Sequence, residues 1–325
     1  MFDLLKKLTA GCAVVLVAAC GGGSDDPPPS PPPGSIVAEA TARGGTALVA
    51  AANKAGLVPA LSAGSASLTV FAPTDAAFTT LATKLGFASA TAMVTALDGP
   101  TLAKILQYHV LPTRKTAADL VAGGATQPTL YTFEGSASTL ALTTTGGVKI
   151  TDEVLTQATV TTADVPASNG VIHVIDKVLV PPGVLTVVQK AQLNPTFSVL
   201  VEAVVAANLA TTLSGTGPFT VFAPTNDAFT ATLGELSLTK AQLLASPGLA
   251  GILTYHVVAG NVRAANVVAL PKPARVTTLQ GTAFTVGSTL AITDGRARIA
   301  NLVATDVIGS NGVIHVIDKV LLPAP

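Results

Sequence analysis

The chain has 325 residues, 18 basic and 18 acidic side chains and a formal net charge of zero, and only 11% of its residues are charged. That is well below the ~25% of an average soluble protein, and it leaves neither a basic patch for nucleic acid nor a polybasic stripe for a membrane surface. Two cysteines exclude a disulfide-stapled scaffold, and the absence of tryptophan, with aromatics at 4%, weakens any sugar-stacking site.

The first predicted element is a leader. Lys6 and Lys7 precede the apolar stretch Leu8–Ala19, too short to cross a bilayer but suited to a secretory signal. It ends in Val17-Ala18-Ala19-Cys20, small residues directly before a cysteine, which resembles the lipobox of bacterial lipoproteins. Residues 1–19 are therefore expected to be removed and Cys20 to carry the lipid. Cys12 leaves with the leader, so the folded part has no thiol for a disulfide, a cluster or a cysteine-ligated zinc. Residues 20–35 form a tether, in which Gly21–Ser35, glycines and then prolines, reach about 45 Å at roughly 3 Å per residue. Gly21, where an aspartate would favour inner-membrane retention, points to the outer membrane, on its cell-surface or periplasmic face.

Beyond the tether the chain is a duplication. TVFAPTDAAF (Thr69–Phe78) returns as TVFAPTNDAF (Thr220–Phe229), YHVLPTRKTAADL (Tyr108–Leu120) as YHVVAGNVRAANV (Tyr255–Val267), and SNGVIHVIDKVL (Ser168–Leu179) unchanged at Ser310–Leu321. The separation narrows from 151 to 147 to 142 residues, so the loops between landmarks differ in length. Two equivalent domains are expected, 36–182 and 184–325, joined at a short Pro181-Pro182-Gly183 hinge.

Within each copy, Leu48, Ala51, Ala52 and Ala55 have helical spacing, as do Leu200, Ala203, Val204 and Ala207. LTVF is a brief strand ended by Pro73, after which Thr74 and Asp75 open a helix through Phe78 and Leu81. Leu102, Ile105 and Leu106 form another helical face, and residues 128–179 turn strand-like. Ala203–Thr225 carries no charge, but Asn208, Gly215, Gly217, Pro218 and Pro224 argue against a membrane helix. Helices with antiparallel strands after them give an α+β class.

The three motifs, in fixed order and twice over, closely resemble the fasciclin domain. The resemblance implies two tandem fasciclin-like domains, each a β-sandwich wedge with packed helices, in a family of secreted or surface-anchored adhesion modules. It also implies candidate binding residues at the Tyr-His pairs and at the aspartate before the last strand: Tyr108, His109 and Asp164, then Tyr255, His256 and Asp306. If the Tyr-His stretch is extended, its two side chains point opposite ways, one into the core and one toward a partner.

The closing strand is apolar on both faces, so His173 is expected to be a structural, hydrogen-bonded core residue, with Asn169-Gly170 turning the chain before it and Asp164 placed to tie that turn down. His315 and Asn311 are the counterparts, with Asp306. The chain contains no G-x-S-x-G, H-E-x-x-H, Walker or G-x-G-x-x-G pattern, so no catalytic residue, metal or cofactor is expected. The function expected is adhesion or protein interaction at the cell surface or matrix, through avidity and without catalysis. Its partner would be a surface or matrix protein or polymer, with the membrane reached only through the lipid. The alternative is a periplasmic module binding a small molecule, lipid or glycan, with Tyr108 and Tyr255 as anchors.

Overall fold

Helices begin here where hydroxyl or carboxylate side chains can take up the free amides of a first turn. In a computed structural model that describes residues 32–325, Ser35, Thr74, Ser89 and Asp98 each accept from the backbone N–H three residues on. They open the helices Ile36–Ala42, Asp75–Lys84, Ala90–Ala96 and Gly99–Tyr108. Thr116 and Asp119 satisfy each other's amides at Ala117–Ala122, as Thr186 and Gln189 do at Val187–Leu193. The expected leader, Cys20 and most of the tether lie outside the described residues. Gly34 and Ser35, at the end of the expected tether, belong to the first repeat: the Gly34 carbonyl accepts from the Ser168 N–H at 2.9 Å, and Ser35 caps the first helix.

The first repeat holds β1 (Leu68–Pro73), β2 (Val110–Leu111), β3 (Thr126–Phe133), β4 (Ser136–Thr143), β5 (Lys149–Thr151), β6 (Gln157–Ala167) and β7 (Gly170–Ile175). They form one sheet in the order β2-β1-β7-β6-β5-β4-β3. The second holds β8 (Phe219–Pro224), β9 (Val257–Ala259), β10 (Ala274–Thr277), β11 (Ala283–Val286), β12 (Ile292–Thr293), β13 (Ile299–Ala300), β14 (Leu302–Gly309) and β15 (Gly312–Ile317). These make two four-stranded sheets, β14-β15-β8-β9 and β10-β11-β12-β13. One strand makes the difference: β6 runs unbroken for 11 residues, whereas Asn301 separates β13 from β14.

The expected antiparallel order misses the central pair. β1 and β7, from opposite ends of the repeat, pair in parallel with Phe71 opposite His173, and β8 and β15 do so with Phe222 opposite His315. Both faces of each pair are covered. Val70, Ala72 and Ile172 pack toward the helices, while Phe71 and Ile175 pack with Tyr108, Tyr131 and Leu140 on the sheet side. Val221, Ala223 and Ile314, against Phe222 and Ile317, repeat the division. A strand covered on two sides is apolar on both faces, which is why VIHVI reads as a greasy run broken only by its histidine.

Close approach of the two backbones fixes the residue that starts the last strand. A Cβ on Gly170 would stand 2.2 Å from the Leu68 carbonyl oxygen, and on Gly312 2.0 Å from that of Phe219. Gly170→Ala or Gly312→Ala should therefore push the parallel pair apart at a cost of roughly 2–3 kcal/mol, read as a lower urea midpoint. An unchanged midpoint would show that the pair has slack the geometry denies it.

Candidate functional site

The motif histidines are the residues whose chemistry is most in question. His173 is fully buried, with Nε2 2.9 Å from the Lys115 carbonyl and Nδ1 accepting from the Asp164 N–H at 3.3 Å. His315 repeats this with the Val262 carbonyl at 2.8 Å and the Asp306 N–H at 3.3 Å. His109 and His256 use the opposite tautomer. Their Nδ1–H groups donate to the carbonyls of Ile105 and Ile252, both at 2.8 Å, and Nε2 accepts from Leu179 N–H at 2.9 Å and Leu321 N–H at 2.8 Å. A ring that meets a carbonyl on one nitrogen and an N–H on the other must be neutral, with its tautomer fixed. All four histidines of the chain are spent this way, each with both ring nitrogens engaged by the backbone. Burial pulls His109 and His256 down to about 4 and lowers His315 as well.

The neighbouring Tyr-His expectation needs correcting. Tyr108 ends the helix Gly99–Tyr108 and His109 caps it, so the stretch turns a corner and is not extended. Both side chains then point inward: Tyr108 is 2% exposed and His109 1%, with Tyr255 and His256 at 0% and 2%. Each tyrosine hydroxyl donates to a sheet carbonyl, Thr139 or Ala283, at 3.2 Å. Buried to this depth the four side chains offer no surface for contact, so a direct binding role for Tyr108, His109, Tyr255 and His256 does not fit the fold.

Asn169 and Asp164 are also tied differently from the simple turn expected. Buried Asn169 accepts from Ile36 N–H at 2.9 Å and donates to the carbonyls of Leu61 and Ala63, and Asn311 does the same for Val187, Leu213 and Gly215. Asp164 does not reach that turn. It sits in a bulge of β6 with φ 57°, a left-handed conformation that aspartate tolerates. This twist aims its N–H at His173, and its carboxylate accepts from Ala117 N–H at 2.8 Å. Asp306, with φ 59°, does the same for Ala264. Asp164 is exposed and Asp306 half-buried, so these aspartates are the members of the candidate set that remain at the surface.

The joint between the repeats is built rather than loose. Pro181 and Pro182 are buried, the Pro182 carbonyl accepts from the Tyr131 hydroxyl at 3.0 Å, and Gly183 N–H donates to Ile308 O at 2.9 Å. Lys190, 1% exposed, donates to Pro181 O at 3.1 Å, and burial lowers its ammonium to about 8. The Glu153 carboxylate, which burial raises, accepts from Ile308 N–H at 2.5 Å. Asn194 donates to Val154 O at 2.9 Å, and Arg263 grips Glu134 with two hydrogen bonds. The expected hinge is thus a packed junction. Motif reading misses these residues because they differ between the copies. By the motif alignment Ile308 corresponds to Pro166, which has no N–H, and Glu153 corresponds to Gly295. Divergence in charge or donor between aligned positions is the signal that would have found them.

Among known protein families, the Fasciclin domain model matches residues 44–181 and 195–323. The Synechocystis protein sll1483 is 46% identical over 145 residues, which are 43% of this chain and 74% of that protein. The cell surface glycolipoprotein MPB83 of Mycobacterium bovis is 39% identical over 139 residues, 40% of this chain and 57% of that protein. Among solved structures, a FAS1 domain pair from the insect cell adhesion molecule fasciclin I aligns over 88% of this chain and 95% of that chain, with a TM-score of 0.44 and 21% identity. Among the described residues, no helix is long and apolar enough to cross a membrane.

This geometry has two measurable outcomes. The unfolded imidazole titrates near 6.5, so the contribution of His109 and His256 is complete above that pH and is lost as pH falls toward their folded value of about 4. Each should cost about 3 kcal/mol by the lower end of that window. Because the raised Glu153 carboxyl works in the opposite direction, urea unfolding at pH 7 and 4.5 is compared with a His109→Gln, His256→Gln variant, whose loss should be smaller. An equal loss would remove these rings as the cause. At the joint, Glu153→Ala leaves the Ile308 N–H without its acceptor. It should cost about 2–3 kcal/mol and split unfolding into two transitions in calorimetry, where an intact joint gives one.

Proposed function

Since the chain belongs to the fasciclin-domain family and carries the domain twice, we propose that it is an exported, surface-anchored interaction protein whose paired repeats act together in adhesion, without catalysis. The observation that carries this reading is where the motif chemistry goes. Histidine, tyrosine and asparagine side chains that resemble an active site are spent on their own backbone, which leaves recognition to the outer surface. The aspartates in the β6 and β14 bulges are the candidate residues found there. The partner is a surface or matrix protein or polymer, not nucleic acid, in keeping with a net charge of zero.

The anchor is Cys20, with the Gly/Pro segment after it as a stalk. Similarity to a cell surface glycolipoprotein supports this reading, as does the set of small residues before the cysteine. The outer membrane is the leaflet-bearing surface we favour. Two modules on one stalk raise the effective concentration of each for a repetitive ligand, so weak contacts add to useful avidity.

The test uses cells that display the full chain. Cys20→Ser should move the protein from the membrane fraction to the soluble fraction and abolish attachment of the cells to matrix-coated plates. Asp164→Asn keeps the hydrogen bond to Ala117 while removing the charge. It should lower attachment at least about threefold, with the melting temperature unchanged. Attachment no better than that of cells without the protein would overturn the proposal.

A further inference from the structure

An open cleft beside the joint is not used by the adhesive reading. Between the helix Asp75–Lys84, the segment after β7 and the second repeat lies a cleft of about 240 Å³. Leu81, Val178, Val180 and Leu193 make its floor, and Lys84, Lys177, Gln157 and Asp176 its polar edge. An enclosed apolar cavity of ~150 Å³ holds benzene, so this cleft has room for a six-membered ring and a polar substituent.

Its charges are unequally matched. The Asp176 carboxylate is turned to the Thr159 N–H at 2.7 Å, and the Lys177 ammonium is paired with buried Asp152. Lys84 gives one hydrogen bond to the Leu193 carbonyl at 3.3 Å, and among the described residues no carboxylate lies within 4.0 Å of it. Burial holds Lys177 below the ordinary lysine range, and the neighbouring charge of Lys84 pushes the same way. An anion beside Lys84 would relieve that repulsion.

The second repeat carries a different set of charges at the same place. Lys84 aligns with Glu235, Gln157 with Ile299 and Lys177 with Lys319. Glu235 there takes Lys319 at 2.9 Å and Arg298 at 2.8 Å, so its carboxylate supplies internally the negative charge that the first repeat lacks. One repeat carries its own anion and the other leaves an ammonium facing an open, apolar-floored cleft.

We infer that the cleft at the joint binds a small organic carboxylate, with a ring or short apolar body against Leu81, Val178 and Leu193 and its carboxylate on the Lys84 ammonium. The test titrates the full chain by calorimetry with benzoate, neutral benzamide and inorganic phosphate. Benzoate should bind saturably, and benzamide and phosphate at least about tenfold more weakly. Lys84→Glu installs the charge found at Glu235, so it should pair with Lys177, keep the melting temperature and lower benzoate affinity at least about tenfold. Leu193→Trp, which fills the floor and leaves Lys84 in place, should also abolish binding. Benzoate binding that is absent, matched by benzamide or phosphate, or unchanged in Lys84→Glu would overturn the assignment.

Discussion

A neutral imidazole that donates to one backbone carbonyl and accepts from one backbone N–H is the constraint on which each repeat turns. Where β7 runs in parallel beside β1, the bulge in β6 leaves the Asp164 amide without a strand partner, and Lys115 brings an unpaired carbonyl to the same place. Few side chains can satisfy both within one flat, ring-sized space, and one buried orphan of either kind costs about 1–3 kcal/mol. His109 meets the same need between the last turn of a helix and the end of the Lys177-Val178-Leu179 segment. Phe71 packs beside His173 and Phe222 beside His315 in tilted contacts, at centroid separations of 5.7 and 5.3 Å.

That arrangement decides what the rest of the molecule is free to do. With the polar side chains of the motifs consumed inside, the surface can diverge between copies without harming the fold. The copies have used that freedom at the joint: Glu153, Lys190 and Arg263 lock the two repeats through groups that their aligned counterparts do not carry. Such charges add little net stability: desolvation offsets most of the attraction at buried Lys190, and solvent screens the exposed Arg263–Glu134 pair. What they fix is geometry, since a misplaced neighbour would leave them unpaired.

Much of this was legible in the residues, unevenly. The duplication, the α+β class, the Thr74 cap and the two-sided burial of VIHVI all rest on local pattern, and local pattern survives folding. The parallel union of β1 with β7 was not legible, because nothing in TVFAP states which distant strand it will join. The Tyr-His pair misled for a related reason. Two adjacent residues lie on opposite faces only in a strand, and at the end of a helix both can turn inward. Asp164 was singled out as important, but its left-handed backbone, which gives the importance a cause, shows only in the folded chain. The joint escaped because repeated motifs draw attention to what two copies share.

The donor at Ile308 has a consequence for assembly. A contact made between unlike faces of similar units can propagate indefinitely into a fibre unless something ends it. Here the first repeat offers an imino acid, Pro166, where the second offers an amide, and the second offers a bare glycine, Gly295, where the first offers the Glu153 carboxylate. Neither outward-facing position can reproduce this handshake, so the contact joins the two repeats in one order and is not repeated by the same positions on their other faces.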